Sequence, residues 1–511
     1  MPSYTSLGAA ILLIWLVKKF VDSRSNRKHG LPFPPGPKPK ALIGNLTDLP
    51  ITNAAQTYAE WEKKYHSNIL HASALGNRVV VLNNREDAEA LLDKRASNYS
   101  DRPVIPITEM MGWGYNIALY GYGDKWRFHR KICQQNFRPE AARRYQPLQM
   151  KMVHTMLRNL LDSPANFDDH NKMLSISLPM MTMYGYEVKS FEDPCIVAAD
   201  QSIILGARLL MPGATLVNVF PVLKYIPSWV PGASSHKRAA EVKRLTDEME
   251  AIPMEFVKKQ VAEGTALPSL VSDFLYKKNS VGASKEEEEA IKNVASTVYG
   301  GASDTTISAT GTFFYVMAIN PDVQRRAQAE IDSVTGSKRL PELEDRPFLP
   351  YIEAIYREVM RFRPPLQLGV PHNVSKDDHY KGYIIPKGTS VFGNIWAMTH
   401  DERVYPEPFK FKPERFFDEN GNLNDDDRIL AYGFGRRVCV GKHVASSTMW
   451  LIIASVLASF DISKAKDEFG NDIEINDNYE DLGLLNHKTK FQCSFTPRST
   501  MARQLVQNTA G

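Results

Sequence analysis

From Val294 to Ile319 the chain carries a single charged side chain, Asp304. An uncharged run of that length, VASTVYGGASDTTISATGTFFYVMAI, has to be hidden from water, either in a bilayer or as a helix at the centre of a large domain. Its density of serine, threonine and glycine, with a carboxylate at the midpoint, favours the buried central helix, and the rest of the chain has to wrap around it. A buried carboxylate is costly unless it has a partner or a task. Gly300, Gly301 and Ala302 remove side-chain bulk just before Asp304 and open room beside the helix. Thr305 sets a hydroxyl next to the acid, and such a hydroxyl can bend the helix by bonding back to an earlier carbonyl. Taken alone, the stretch is equally compatible with a buried capping aspartate.

A second stretch, Tyr432–Gly441 (YGFGRRVCVG), is a glycine-rich loop around one cysteine. Arg436 and Arg437 bring positive charge, and Gly433, Gly435 and Gly441 let the backbone fold tightly around Cys439. Residues 442–455 read as a helix, whose positive dipole end would face the thiol. The expectation is a cysteine whose pKa is lowered. One thiolate cannot fill a tetrahedral zinc site, and no Cys-x-x-Cys or His-x-x-x-His lies nearby. A single thiolate with an open face opposite suits a haem iron that activates dioxygen, while a Gly-rich turn before a helix with an inert buried cysteine remains the plainer alternative.

The spacing from Tyr432 through Gly435, Arg437 and Cys439 to Gly441 resembles the haem-binding signature of the cytochrome P450 family, which usually opens on Phe where this chain has Tyr432. Other motifs follow the family's order. GASDTT (residues 301–306) resembles its oxygen-activation motif, commonly Ala-Gly-x-Asp-Thr-Thr, with Gly301 and Ala302 in reversed order. The resemblance implies that Asp304 relays protons and Thr305 holds dioxygen and a water, and reductive O–O cleavage needs such proton delivery. Trp126 and Arg130, four apart on one helix face in DKWRFHRK, resemble its Trp-x-x-x-Arg pair for a haem propionate. His372, after Pro371, resembles a second propionate contact beside Arg437. Glu358 and Arg361 match the Glu-x-x-Arg helix, and Arg415 in PEPFKFKPERF would join them as architecture. Tyr432, Gly435 and Gly441 complete the implied haem-binding set, with Cys439 as the axial iron ligand.

The resemblance implies a mainly α fold with small β portions: a triangular, helix-rich body holding haem (heme, iron protoporphyrin IX) between the long central helix and the Cys-loop helix. Local patterns agree. Ala54–Tyr65 has helical spacing, residues 69–74 and 78–82 read as a hairpin, Asn84 as a helix cap, Leu366, Leu368 and Val370 as a strand, and residues 239–259 as helix on either side of Pro253. Apolar residues of the broken stretch 101–120, among them Ile105, Ile107, Met110, Met111, Trp113 and Tyr115, are expected to wall a substrate cavity.

Three segments follow: a membrane anchor over 1–22, a basic, proline-rich hinge over 23–40 and a catalytic domain over 41–511. Pro2–Val17 is uncharged and would span about 24 Å as a helix, a little short of a ~30 Å hydrocarbon core. Lys18 and Lys19 follow it, and the positive-inside rule then puts the domain in the cytosol. The apolar stretch Leu209–Val230 is expected to touch the bilayer surface. A net charge of +4 is too small and dispersed for nucleic acid, and four scattered cysteines fit a reducing compartment.

The resemblance thus implies an endoplasmic-reticulum monooxygenase of fungal microsomal type in secondary metabolism, oxidising a hydrophobic terpenoid or polyketide. After Cys439 there is too little chain for a flavin domain. Electrons are therefore expected from NADPH through a separate cytochrome P450 reductase, with cytochrome b5 as an optional donor. Arg436, Lys442 and His443 are the basic docking surface. The alternatives are a haem-thiolate isomerase, dehydratase or peroxygenase needing no external electrons, or a haem-binding sensor or carrier.

Overall fold

The computed structural model describes residues 30–210, 215–230, 233–481, 483 and 485–510. The expected anchor, residues 1–22, lies outside them, and among the described residues no helix is long and apolar enough to cross a membrane.

The uncharged run forms the second part of a 35-residue helix, Lys285–Ile319. Ser284 opens it with a capping box. The Ser284 hydroxyl accepts from the Glu287 N–H at 3.1 Å, and the Glu287 carboxylate accepts from the Ser284 N–H at 2.9 Å. Two otherwise unpaired donors are satisfied, and the acidic first turn suits the positive helix end. Phe313, Phe314, Val316 and Met317, near the other end, have no exposed surface. They pack in one cluster with Trp450 to Ile453 of the helix Lys442–Ser459 and with the helix Pro350–Phe362. Apolar burial at roughly 25 cal/mol per Å² makes this cluster a main source of stability.

Beside it, Glu358 is fully buried between Arg361 and Arg415, with the Arg361 Nε and Nη2 at 2.6 and 2.8 Å and the Arg415 Nε at 3.1 Å. A buried carboxylate is tolerable because two guanidiniums and the Lys412 N–H at 2.8 Å occupy its oxygens. The role expected of the three residues is architectural, and their placement suits it.

A four-stranded sheet flanks the helical body. Ile69–Ala74 pairs antiparallel with Asn77–Leu82, which runs parallel to Ser390–Gly393, which pairs antiparallel with His372–Asn373. Asn84 caps the next helix, accepting from the Asp87 N–H at 2.9 Å. From residue 30 onward the proline-rich stretch is docked on this region. Pro32 O accepts from Ile384 N–H at 3.0 Å, Pro35 O accepts from His71 N–H at 2.8 Å, and Phe33 stacks on the His71 ring at 4.6 Å.

One local expectation needs correction, and another is met more fully than the sequence suggested. Leu366, Leu368 and Val370 do not form a strand. Pro364, Pro365 and Pro371 lack ladder donors and Gly369 adopts φ +60°, which breaks the extension. All three side chains line the central cavity instead, so their alternation marks a wall and not a sheet. The helix Ser234–Glu263 runs through Pro253 without a break. The carbonyl this proline leaves unpaired, Met249 O, receives the Cys195 thiol at 3.8 Å.

Candidate active site

Where the small residues of the long helix occur, a cavity of about 600 Å³ opens. Trp126, Arg130, His372, Tyr432, Arg437, Cys439 and Gly441 line it together with Asp304 and Thr305, although they come from four separate segments. Gly435 is the exception and lies behind the loop. Its φ is +57°, and a Cβ there would collide with the Leu92 carbonyl, whose carbon would stand 3.1 Å away. Glycine is required at 435 by close backbone approach.

The Cys loop is closed by the Cys439 N–H donating to Tyr432 O at 2.8 Å. Cys439 lies deep in the protein with its sulfur surface open to the cavity. Its pKa is raised, against the expectation of a lowered one. Burial is the largest cause, opposed by the Gly441 N–H, Arg130 and Lys442. The two loop arginines are directed elsewhere. Arg436 binds the Tyr122 hydroxyl, and Arg437 donates to Ser100 O and Tyr120 O, both at 2.7 Å. Gly441 serves through its N–H rather than a special φ. A metal cation displacing the thiol proton would reverse the penalty.

Tyr432 finds a partner for its hydroxyl, which lies 3.0 Å from the Tyr356 hydroxyl on the helix Pro350–Phe362. Tyr356 in turn bonds Ser446, which accepts from Arg346 Nη2 at 3.0 Å.

At the cavity edge the guanidinium of Arg437 lies 4.4 Å from the Trp126 ring and that of Arg130 5.9 Å from it. Arg130 Nε and Arg437 Nη1 are buried with no hydrogen-bond partner among the described residues. His372 is buried, its Nδ1–H donates to Tyr99 O at 2.6 Å, and burial and Arg102 push its pKa down to about 3. Arg102 completes the group and was not foreseen from the sequence. It donates to Ala118 O at 2.8 Å, Val370 O at 2.8 Å and Pro371 O at 2.7 Å, and burial followed by Arg437 lowers its pKa to about 9. Its partners are backbone carbonyls of distant segments, so no side-chain spacing signals it. This cationic edge suits a dianionic ligand.

On the long helix, the Thr305 hydroxyl donates to Gly301 O at 3.0 Å and the Thr306 hydroxyl to Ala302 O at 2.7 Å. A Cβ at Gly301 would meet nothing within 4 Å, so the helix is open there. Asp304 has its pKa raised to about 6, chiefly by burial and further by Asp200, with Lys172 opposing. Lys172 and Asp200 form an ion pair at 2.6 Å and line the same cavity. They were also missed, because they lie on two other helices, Phe167–Tyr184 and Pro194–Leu210.

Of the expected wall residues, Trp113 and Tyr115 line the cavity, while Ile107 and Met111 are fully buried core and Ile105 and Met110 are not part of the lining; Ile117 and Leu119 of the same stretch line it without having been singled out. Leu485 also reaches it, and its neighbours Leu482 and Leu484 lie outside the described residues. Among the described residues no cluster of three or more His, Cys, Asp or Glu could hold a bare metal ion. One thiol, unpaired cationic donors at one edge and apolar walls fit a metal that brings its own flat, dianionic ligand, namely haem.

Residues 34–495 match the family model described as Cytochrome P450. The chain is 38% identical over 99% of its length, and 97% of the relative, to cytochrome P450 monooxygenase ple1 of Rhodocybe pseudopiperita. It is 40% identical to cytochrome P450 monooxygenase COX2 of Coprinopsis cinerea over 95% of this chain and 93% of that one. It is also 34% identical to tryptamine 4-monooxygenase of Psilocybe cyanescens, over 98% of this chain and 100% of that one.

Proposed function

Because the chain belongs to the cytochrome P450 family and is a P450 monooxygenase, an oxidoreductase, we propose that it oxidises a neutral, hydrophobic small molecule of secondary metabolism, of terpenoid or polyketide type. The observation that carries this reading is a thiol at a helix N-terminus and an acid–hydroxyl pair lining one largely apolar cavity. When bound, haem supplies reductive activation of dioxygen.

Cys439 would hold the iron, with the Gly441 N–H and the cations Arg130 and Lys442 favouring its anionic form. Arg102, Arg130 and Arg437 would hold the propionates beside Trp126. His372 is the weaker contact. Its Nδ1–H is committed to Tyr99 O, so it can donate from Nε2 only as the imidazolium, which burial and Arg102 oppose. Asp304, with a pKa near neutrality, can give up and regain a proton in each cycle. The Thr305 hydroxyl donates to Gly301 O and keeps its oxygen free to accept from a water, so it can hold a water on the cavity side of the helix next to Asp304. Lys172 neutralises Asp200, which leaves Asp304 as the cavity carboxylate without an ion-pair partner among the described residues.

Electrons come, in this reading, from NADPH through a separate reductase that docks on Arg436, Lys442 and His443, with cytochrome b5 as an optional donor. The domain sits in the cytosol on the endoplasmic reticulum membrane. Leu216, Val222, Tyr225 and Trp229, each more than 60% exposed, support contact with a lipid surface. The test is oxidation of a metabolite panel by the purified protein with reductase and NADPH, compared with peroxide alone. Product with reductase and not with peroxide is expected. Equal product with peroxide alone would instead mark a peroxygenase.

A further inference from the structure

Trp113 lines the cavity together with Tyr115, yet its place is decided by a residue that does not itself line it. The ring packs directly against the helix Pro194–Leu210 at Gly206. A Cβ at 206 would overlap ring atom Cζ2 and would stand 2.8 Å from Cη2 and 2.9 Å from Cε2. The Trp113 Nε1–H donates to Ser202 Oγ at 3.4 Å, one turn earlier on the same helix, and Ser202 Oγ is 2.8 Å from Thr246 Oγ1 on a third helix. Ile203, Ile204 and Ala207, around Gly206, line the same cavity.

These contacts make a clamp. The indole is seated against bare helix backbone and tied by its one polar atom, and it is 7% exposed. We propose that the Trp113–Gly206 contact sets the size of substrate this cavity admits, Trp113 being the specificity-determining side chain and Gly206 the residue that positions it. The reasoning is steric. Helix backbone cannot retreat from a new methyl group at 206, so the indole must move, and the cavity it lines is where space exists. The inference deepens the reading of this cavity as the substrate site and rests on it.

Graded azoles test it, since their nitrogen binds haem iron and shifts the Soret band whatever the natural substrate. The probes are imidazole, 4-phenylimidazole and 4-(4-biphenyl)imidazole, titrated into haem-loaded protein. In Gly206→Ala the affinity for the biphenyl probe should fall at least about tenfold, near 1.4 kcal/mol, with imidazole changed by less than about twofold. Trp113→Ala should favour the biphenyl probe. The double variant should behave as Trp113→Ala alone, because the methyl then has no ring to meet. If Gly206→Ala does not accumulate, the last two proteins still decide the matter, since the clamp requires them to be alike in stability and azole affinity. Additive effects, or losses of equal size for all three azoles, overturn the inference. Absence of any imidazole shift in the unaltered protein refutes the haem-thiolate reading and this inference with it.

Discussion

Replacing Asp304 by asparagine separates the chemical role of this side chain from its structural cost. The pKa of Asp304 rises from 3.8 to about 6 through burial and the neighbouring Asp200, with Lys172 opposing. The folded protein therefore binds the proton more tightly than the unfolded chain, and stability falls as pH rises from about 4 through about 6, then levels off. The rise in pKa corresponds to about 3 kcal/mol of destabilisation at pH 8 and roughly half as much at pH 5. Asparagine keeps the shape and removes the charge, so Asp304→Asn should be the more stable protein, and more so at pH 8. For a chain of this length about 3 kcal/mol corresponds to a rise in melting temperature of roughly 3 °C. Melting of the haem-loaded proteins, followed at several pH values, measures it. Turnover should move the opposite way. Loss of a general acid lowers it about a hundredfold, and the decline of wild-type turnover above about pH 6 should disappear. A variant that melts like wild type at pH 8 would refute the buried-acid argument. One that turns over with an unchanged pH profile would remove Asp304 from proton delivery.

Two further outcomes follow from the Cys loop. Cys439→Ser should abolish the red-shifted absorption of the carbon monoxide complex, and an intact band would mean that another residue ligates the iron. Tyr432→Phe should cost about 1 kcal/mol through the lost contact between the two hydroxyls, and Tyr356→Phe more, because its hydroxyl also bonds Ser446. In denaturant titrations the double variant should cost little more than Tyr356→Phe alone, whereas additive losses would show that the 3.0 Å contact carries no energy.

What the sequence determined by itself was the chemistry. Asp304 stood out because one charge in a long apolar run is conspicuous without coordinates, and Cys439 because its loop spacing is local. Trp126 with Arg130 and Glu358 with Arg361 were legible for the same reason, since helical periodicity places near neighbours on one face. The tertiary structure alone decided the environment. Burial, set by packing among distant segments, raised the Cys439 pKa where local charge had suggested lowering it. Arg102 bonds to carbonyls, which every residue possesses, and Lys172 and Asp200 reach Asp304 from two other helices. The alternation at Leu366–Val370 looked like a strand because a cavity wall and a sheet face both bury every second side chain. Local patterns state which groups are present and which face they share. Desolvation and the charges that come to surround a group depend on chain segments hundreds of residues apart, and only folding brings those together.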